Sequence, residues 1–153
     1  MNKIAIILTL FIFIFLISCG YKPIYSLDSI NFKINKITFS ETNRLNYKIL
    51  NLLKKYQQKN DNKNIYDLNI KSEKKITTVS KNSKGESLVF SMEIIIELET
   101  VDKNNVLNKN NFIKNYTYNN NDNKFDLNQY EKSIEDNLVK EIINSITLYL
   151  STK

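Results

Sequence analysis

The most reactive residue in the chain is Cys19, and its neighbours say what its thiol is for. It follows Leu16-Ile17-Ser18, a branched aliphatic residue, a tolerant position and a small residue. That order is the bacterial lipobox. The small Ser18 lets a peptidase reach the bond before Cys19, and a thiolate is a nucleophile able to accept a diacylglycerol. Upstream lie one positive charge, Lys3, and an apolar or weakly polar run from Ile4 to Ile17. This is the layout of a secretory signal. It is short of the roughly twenty apolar residues that a spanning helix needs. Cys19 is the only cysteine, so it has no partner for an intramolecular disulfide, and lipidation accounts for an otherwise unpaired exported thiol. Each buried methylene contributes about 0.8 kcal/mol, and two or more acyl chains anchor stably. Gly20 stands where an Asp commonly retains lipoproteins at the inner membrane, which leans the expectation towards the outer membrane.

Other chemistry is bounded by what is missing. There is no His, and the one Cys is assigned to lipid. The chain therefore lacks a His general base, a Cys nucleophile and the usual zinc ligand sets. Two glycines, Gly20 and Gly85, do not make a phosphate loop. The carboxylate pairs Glu97/Glu99 and Glu135/Asp136 remain. The first pair falls on one face of an expected strand, a spacing a glycosidase could in principle use, but a solvated strand face is by far the plainer reading. The expectation is no enzyme, no cofactor and no metal.

The formal net charge is +6, with 21 Lys, a single Arg and 24 Asn. Much of this Lys, Asn and Ile content has the character of mutational bias from an AT-rich genome. The remaining basic balance reads most plainly as solvated surface, and more sharply as attraction to anionic lipid or sugar phosphates. Nucleic acid is not an expected partner of a lipidated, exported chain.

The elements that must carry any site follow from periodicity. Residues 1–18 are read as signal peptide, 19–29 as a lipidated tether holding the only proline, Pro23, and 30–153 as one α+β domain. Ile30, Phe32 and Ile34 alternate, then Ile37 and Phe39 alternate in the opposite phase, so a strand with a bulge near Asn35-Lys36 is expected. Ser40 or Thr42 is placed to cap a helix over about 42–59, whose stripe is Leu45, Ile49, Leu52, Leu53 and Tyr56. A polar loop at 60–64 leads to a second strand through Tyr66, Leu68 and Ile70, continuing by Ile76, Thr78 and Val79. Lys81 to Gly85 is a turn. The third strand puts Phe90, Met92, Ile94, Ile96 and Leu98 on one face and Ser91, Glu93, Glu97 and Glu99 on the other. That is a sheet with one buried and one wet face. A turn at 102–105 and a fourth strand over 106–118 follow, with Phe112, Tyr116 and Tyr118 on one face. That aromatic set suits core packing under the helices or, alternatively, an acyl chain. Asp126 and Gln129 resemble a capping box for a last helix striped by Tyr130, Ile134, Leu138, Ile142, Ile146 and Leu150. The expected fold is a four-stranded mixed sheet with two amphipathic helices on one face, in the order β-α-β-β-β-α. The first helix is long enough for a crossover, which allows strands one and two to run parallel.

Several strings along this frame resemble the LptE family of lipopolysaccharide-assembly lipoproteins of Gram-negative bacteria. They are Cys19-Gly20-Tyr21, Arg44 at the start of the first helix, Lys84-Gly85-Glu86 before the long strand Val89 to Leu98, and the turn at 102–105. Tyr118-Asn119, Phe125 and the helix through Glu131, Glu135, Leu138, Ile142 and Ile146 to Leu150 complete the set. The chain departs in its shortage of Arg and of small residues in the last helix, and in lacking a C-terminal tail that some members carry. The resemblance implies a plug and assembly partner inside a large outer-membrane β-barrel, LptD, and contact with lipopolysaccharide. Lys81 and Lys84 at the hairpin tip are then candidates for lipid A phosphates, and Arg44, the only guanidinium, for a bidentate contact. Ordinary turn lysines and a solvated first-turn arginine are the plainer readings of the same residues. Three rivals stand beside it: a free-standing lipoprotein carrying a small apolar ligand in a closed cavity, an envelope enzyme or inhibitor, and a pilot lipoprotein for another outer-membrane channel.

Overall fold

The computed structural model describes residues 30–58 and 64–153. The signal, Cys19 and the tether lie outside these residues, as does the expected loop at 60–64 apart from Asn64. Over residues 31–153 the order is β1 (Phe32–Phe39), α1 (Arg44–Leu53), a 3-10 turn (Lys54–Tyr56), β2 (Asn64–Lys81), β3 (Ser87–Val101), β4 (Leu107–Asn119) and α2 (Lys124–Ser151). The strands lie side by side in sequence order. β1 runs parallel to β2 through the α1 crossover, and the other neighbours are antiparallel hairpins. This is the expected architecture.

Alternation decides which face is buried. Phe32, Ile34, Leu68, Ile70, Met92, Ile94, Ile96 and Leu98 are almost wholly buried on one face. The register between β1 and β2 slips between Ile34 and Lys36. The bulge returns Ile37 and Phe39 to the core side, opposite Leu68 and Ile70. Leu45, Ile49 and Leu53 of α1 close this core, with Ile134, Leu138, Val139, Ile142, Ile143, Ile146 and Leu150 of α2.

Four expectations are corrected. The first helix ends at Leu53, and its last turn tightens so that Tyr56 enters the core. There its ring lies 5.4 Å from that of Phe32, and its Oη accepts from Thr147 Oγ1 at 3.3 Å. The α1 cap is Asn43, not Ser40 or Thr42: its Oδ1 accepts from Asn46 N at 3.0 Å. α2 starts at Lys124, because Asn123 accepts from Phe125 N and Asp126 N and so takes the capping place from Asp126. Tyr130 also leaves the buried stripe and stands 47% exposed.

Both hairpin turns use one device. Asn82 Oδ1 accepts from Lys84 N at 2.9 Å and Glu86 N at 3.0 Å, and Gly85 follows at φ 85°. Asp102 Oδ1 likewise accepts from Asn104 N and Val106 N, both at 2.9 Å, with Asn105 at φ 59°. A residue in the left-handed region costs a β-carbon bearer about 1 kcal/mol or more. Gly85→Ala is therefore expected to destabilise by about 1 kcal/mol although open space surrounds the new methyl. Asn105→Gly is expected to be neutral or to stabilise by a few tenths of a kcal/mol. Urea midpoints of the two variants check both signs.

Candidate functional site

Helices cover one face of the sheet, and the described residues place no element over the other. The exposed face is built in rows across β2, β3 and β4. Asn69, Glu99 and Lys109 form one row, Lys71, Glu97 and Asn111 the next, and Lys75, Glu93 and Asn115 another. Glu93, Glu97 and Glu99 thus make an acidic column on β3, flanked by lysines on both neighbouring strands. Asn69 Nδ2 donates to Glu99 Oε2 at 3.1 Å, and Lys109 pairs with the other oxygen of that carboxylate. Hydrogen bonds from Lys109 and Asn69 hold the Glu99 carboxyl below the usual range. Lys71 lies 3.8 Å from Glu97. Ser91, Glu93, Glu97 and Glu99 occupy the polar face as their alternation requires. Ile95 and its β4 partner Ile113 interrupt it.

The sequence-derived contact residues divide between two places. Lys81 ends β2, and Lys84 sits in the turn beyond it, at the far end of the β2–β3 hairpin. Exposed Ile76, Val79 and Leu88 lie on the same arm. Arg44 opens α1 and lines a cleft of about 550 Å³ with Ser72, Lys74, Lys132 and Glu135. From Lys74 to Lys81 an extended strand runs about 23 Å. Arg44 and the tip lysines therefore do not converge on one small group.

The structure also assembles a charge cluster that no local pattern announces. Glu135 is 8% exposed on α2. It receives Lys74 Nζ from β2 at 2.6 Å and Lys48 Nζ from α1 at 2.5 Å, and Lys48 also reaches Asp136 at 2.6 Å. Burial pushes the Glu135 carboxyl up, but hydrogen bonds from Lys48 and Lys74 outweigh it and leave the pKa lowered. Burial likewise opposes the ammonium of Lys48, and its carboxylate partners reverse that, raising its pKa. The cluster clamps both helices to β2. The sequence signal was the adjacent carboxylate pair Glu135/Asp136, with Glu135 standing beside the stripe residues Ile134 and Leu138.

The sign of the pH dependence follows. A lowered folded pKa means that Glu135 stabilises fully above the unfolded glutamate value of about 4.3. That contribution fades as pH falls through the lower folded value. Glu135→Gln is expected to cost about 1–2 kcal/mol at pH 7, because both lysines keep access to water, and to flatten the acid limb of stability. Urea titrations of both proteins between pH 7 and pH 3 check this; parallel curves would exclude the clamp.

The aromatic set of β4 divides: Tyr118 packs in the core and Phe112 is half-buried, whereas Tyr116 is exposed, a correction to the expectation that all three lie under the helices. Tyr118 is buried and its Oη donates to Glu131 Oε1 at 2.6 Å. Burial, then this bond, push its pKa well above the ordinary tyrosine value. Phe112 meets Tyr149 edge-on at 5.9 Å, and the hydroxyls of Tyr116 and Tyr130 lie 3.3 Å apart.

A sheet with one helix-covered and one open polar face, in this strand order, defines a fold class already seen in bacterial lipoproteins. Lipoprotein B from Nitrosomonas europaea superposes with a TM-score of 0.62 at 12% identity, over 86% of this chain and 90% of that one. A minor lipoprotein from Acinetobacter baumannii gives 0.56 at 15% identity, covering 80% and 92%. Rare lipoprotein B from Shewanella oneidensis gives 0.52 at 12% identity, covering 75% and 96%. At these identities the likeness is one of fold. No family model and no curated sequence matches the chain.

Proposed function

We propose that the chain is a lipid-anchored, non-enzymatic subunit of the outer-membrane lipopolysaccharide translocon. In this reading it plugs a large LptD-like β-barrel and assists its assembly. The observation that carries the reading is the uncovered polar face of β2, β3 and β4. A barrel lumen is polar, and the acidic column with its flanking lysines and asparagines offers donors and acceptors in regular rows. The lipobox at Cys19 supplies the anchor, and the fold shared with lipoproteins of three Gram-negative organisms supports the class. Lipopolysaccharide is the proposed ligand of the hairpin tip. There the ammonium groups of Lys81 and Lys84 would meet its phosphates, next to the exposed side chains of Ile76, Val79 and Leu88. A ligand-carrying lipoprotein needs a closed apolar cavity, whereas the cleft beside Arg44 is open and lined mainly by charged groups.

The test is a mild-detergent pull-down of the tagged, lipidated protein, with partners identified by mass spectrometry. A stoichiometric export-type barrel is the expected result. A chain recovered without any barrel sinks the proposal.

A further inference from the structure

β4 is an edge strand of thirteen residues with no proline, and its register against β3 is continuous. Proteins normally blunt such an edge with prolines, bulges, charges or a covering segment, and of these β4 has only two lysines, Lys109 and Lys114, each paired with a carboxylate of its own chain. Among the described residues nothing pairs with its outer side. Asn120 N donates to Leu88 O at 2.8 Å, and Asp102 N to Val106 O at 3.4 Å. Hydrogen-bonded pairs alternate along an antiparallel ladder. The even residues of β4 therefore turn their N–H and C=O groups towards β3, and the odd residues turn theirs outward. The same odd residues put their side chains on the open face, opposite Glu99, Glu97, Ile95 and Glu93.

We infer that β4 pairs antiparallel with β4 of a second copy, centred on Ile113, to join two four-stranded sheets into one of eight. The inference does not depend on the barrel reading. Ile113 is 52% exposed at the middle of β4, beside Ile95 on a mainly polar face. Centring the pair there makes a continuous apolar row: Ile95, Ile113, then Ile113 and Ile95 of the second copy. Asn111 then faces Asn115, Lys109 faces Thr117, and Leu107 faces Asn119. Every outward group in the register is an odd residue meeting an odd residue, as the ladder requires. No lysine stands directly opposite a lysine. The two Lys114 side chains come diagonal across the helix face, where each is already 3.4 Å from its own Glu141.

The register is specific enough to trap. Opposed Cα atoms in a hydrogen-bonded pair lie about 5.5 Å apart, within reach of a disulfide. In the lipidated full chain in mild detergent, Ile113→Cys is expected to give a disulfide-linked dimer under mild oxidation. Lys109→Cys and Thr117→Cys are each expected to give only the background of the parent chain, but to cross-link when mixed. Ile113→Lys places two charges on the axis and is expected to abolish the concentration-dependent dimer in sedimentation equilibrium. Ile113→Pro should do the same with an unchanged circular dichroism spectrum, since its N–H points away from β3. Phe112→Pro removes a ladder bond and should destabilise the monomer. A parent chain that stays monomeric with no cross-link at 113 overturns the inference, as does a dimer that survives Ile113→Lys. A barrel partner lost on Ile113→Pro without any homodimer would also overturn it and assign the edge to a foreign strand.

Discussion

The Cys19→Ser chain is expected to accumulate as an unprocessed precursor at the inner membrane, with no fraction reaching the outer membrane. In the proposed lipoprotein, the thiol of Cys19 carries the lipid, and cleavage before it depends on that residue. A serine hydroxyl is far less acidic than a thiol and supplies no comparable nucleophile. Without two or more acyl chains, no stable anchor replaces the uncleaved signal, whose apolar run is short for a spanning helix. The outcome is close to all-or-none, unlike the graded effects of substitutions in the domain. Membrane fractionation with an immunoblot separates precursor from mature chain by mobility. Normal processing of the variant would remove the lipoprotein reading and, with it, the anchor on which the translocon proposal stands. The domain itself should be untouched, since Cys19 lies outside the described residues and precedes Phe32, the start of the first described strand, in the sequence.

Within the domain, the largest stability effect is expected at the seam between α2 and the sheet. Ile142 is fully buried, on the stripe that α2 lays over the sheet. Replacing it with Ala removes three carbons from a closed site and leaves a cavity that the long helix collapses only in part. Such changes cost about 2–5 kcal/mol. A domain of this size has about 5–15 kcal/mol in total. Leu148→Ala on the same helix is the matched control. Leu148 is 47% exposed, so its loss is expected to stay within about 0.5 kcal/mol. Urea unfolding should show the midpoint falling for Ile142→Ala and barely moving for Leu148→Ala, with the slope unchanged in both. Equal effects would mean that α2 does not seal the core as described.

The two substitutions divide what is local from what is not. The lipobox, the polar face of β3 and the apolar stripe of α2 were legible because each depends on neighbours along the chain. A strand alternates with a period of two, and a helix returns after three or four residues. The bulge at Asn35-Lys36 showed itself as a change of phase in the same way. The two turns were legible from their Gly, Asn and Asp residues. Capping was less so, since Ser40, Thr42 and Asn43 are all suitable caps. The choice fell to Asn43 because its Nδ2 also donates to Ser72 O of β2 at 2.9 Å. The premature end of α1 has a similar origin in the docking of Tyr56 on Phe32.

What the sequence by itself determined is therefore the kinds of element and which face of each is apolar, while the export signal and the lipid site at Cys19 stand as the proposal that its first twenty residues carry. Tertiary structure alone decided the side-by-side strand order and the clamp of Lys48 and Lys74 on Glu135. It also separated Arg44 from the hairpin tip and, among the described residues, left the outer edge of β4 without a partner strand. The clamp joins Lys48 to a carboxylate 87 positions further along the chain, and the edge is free because no described strand is left to cover it. Such arrangements depend on which distant segments meet when apolar faces are buried together, and no local period encodes that choice.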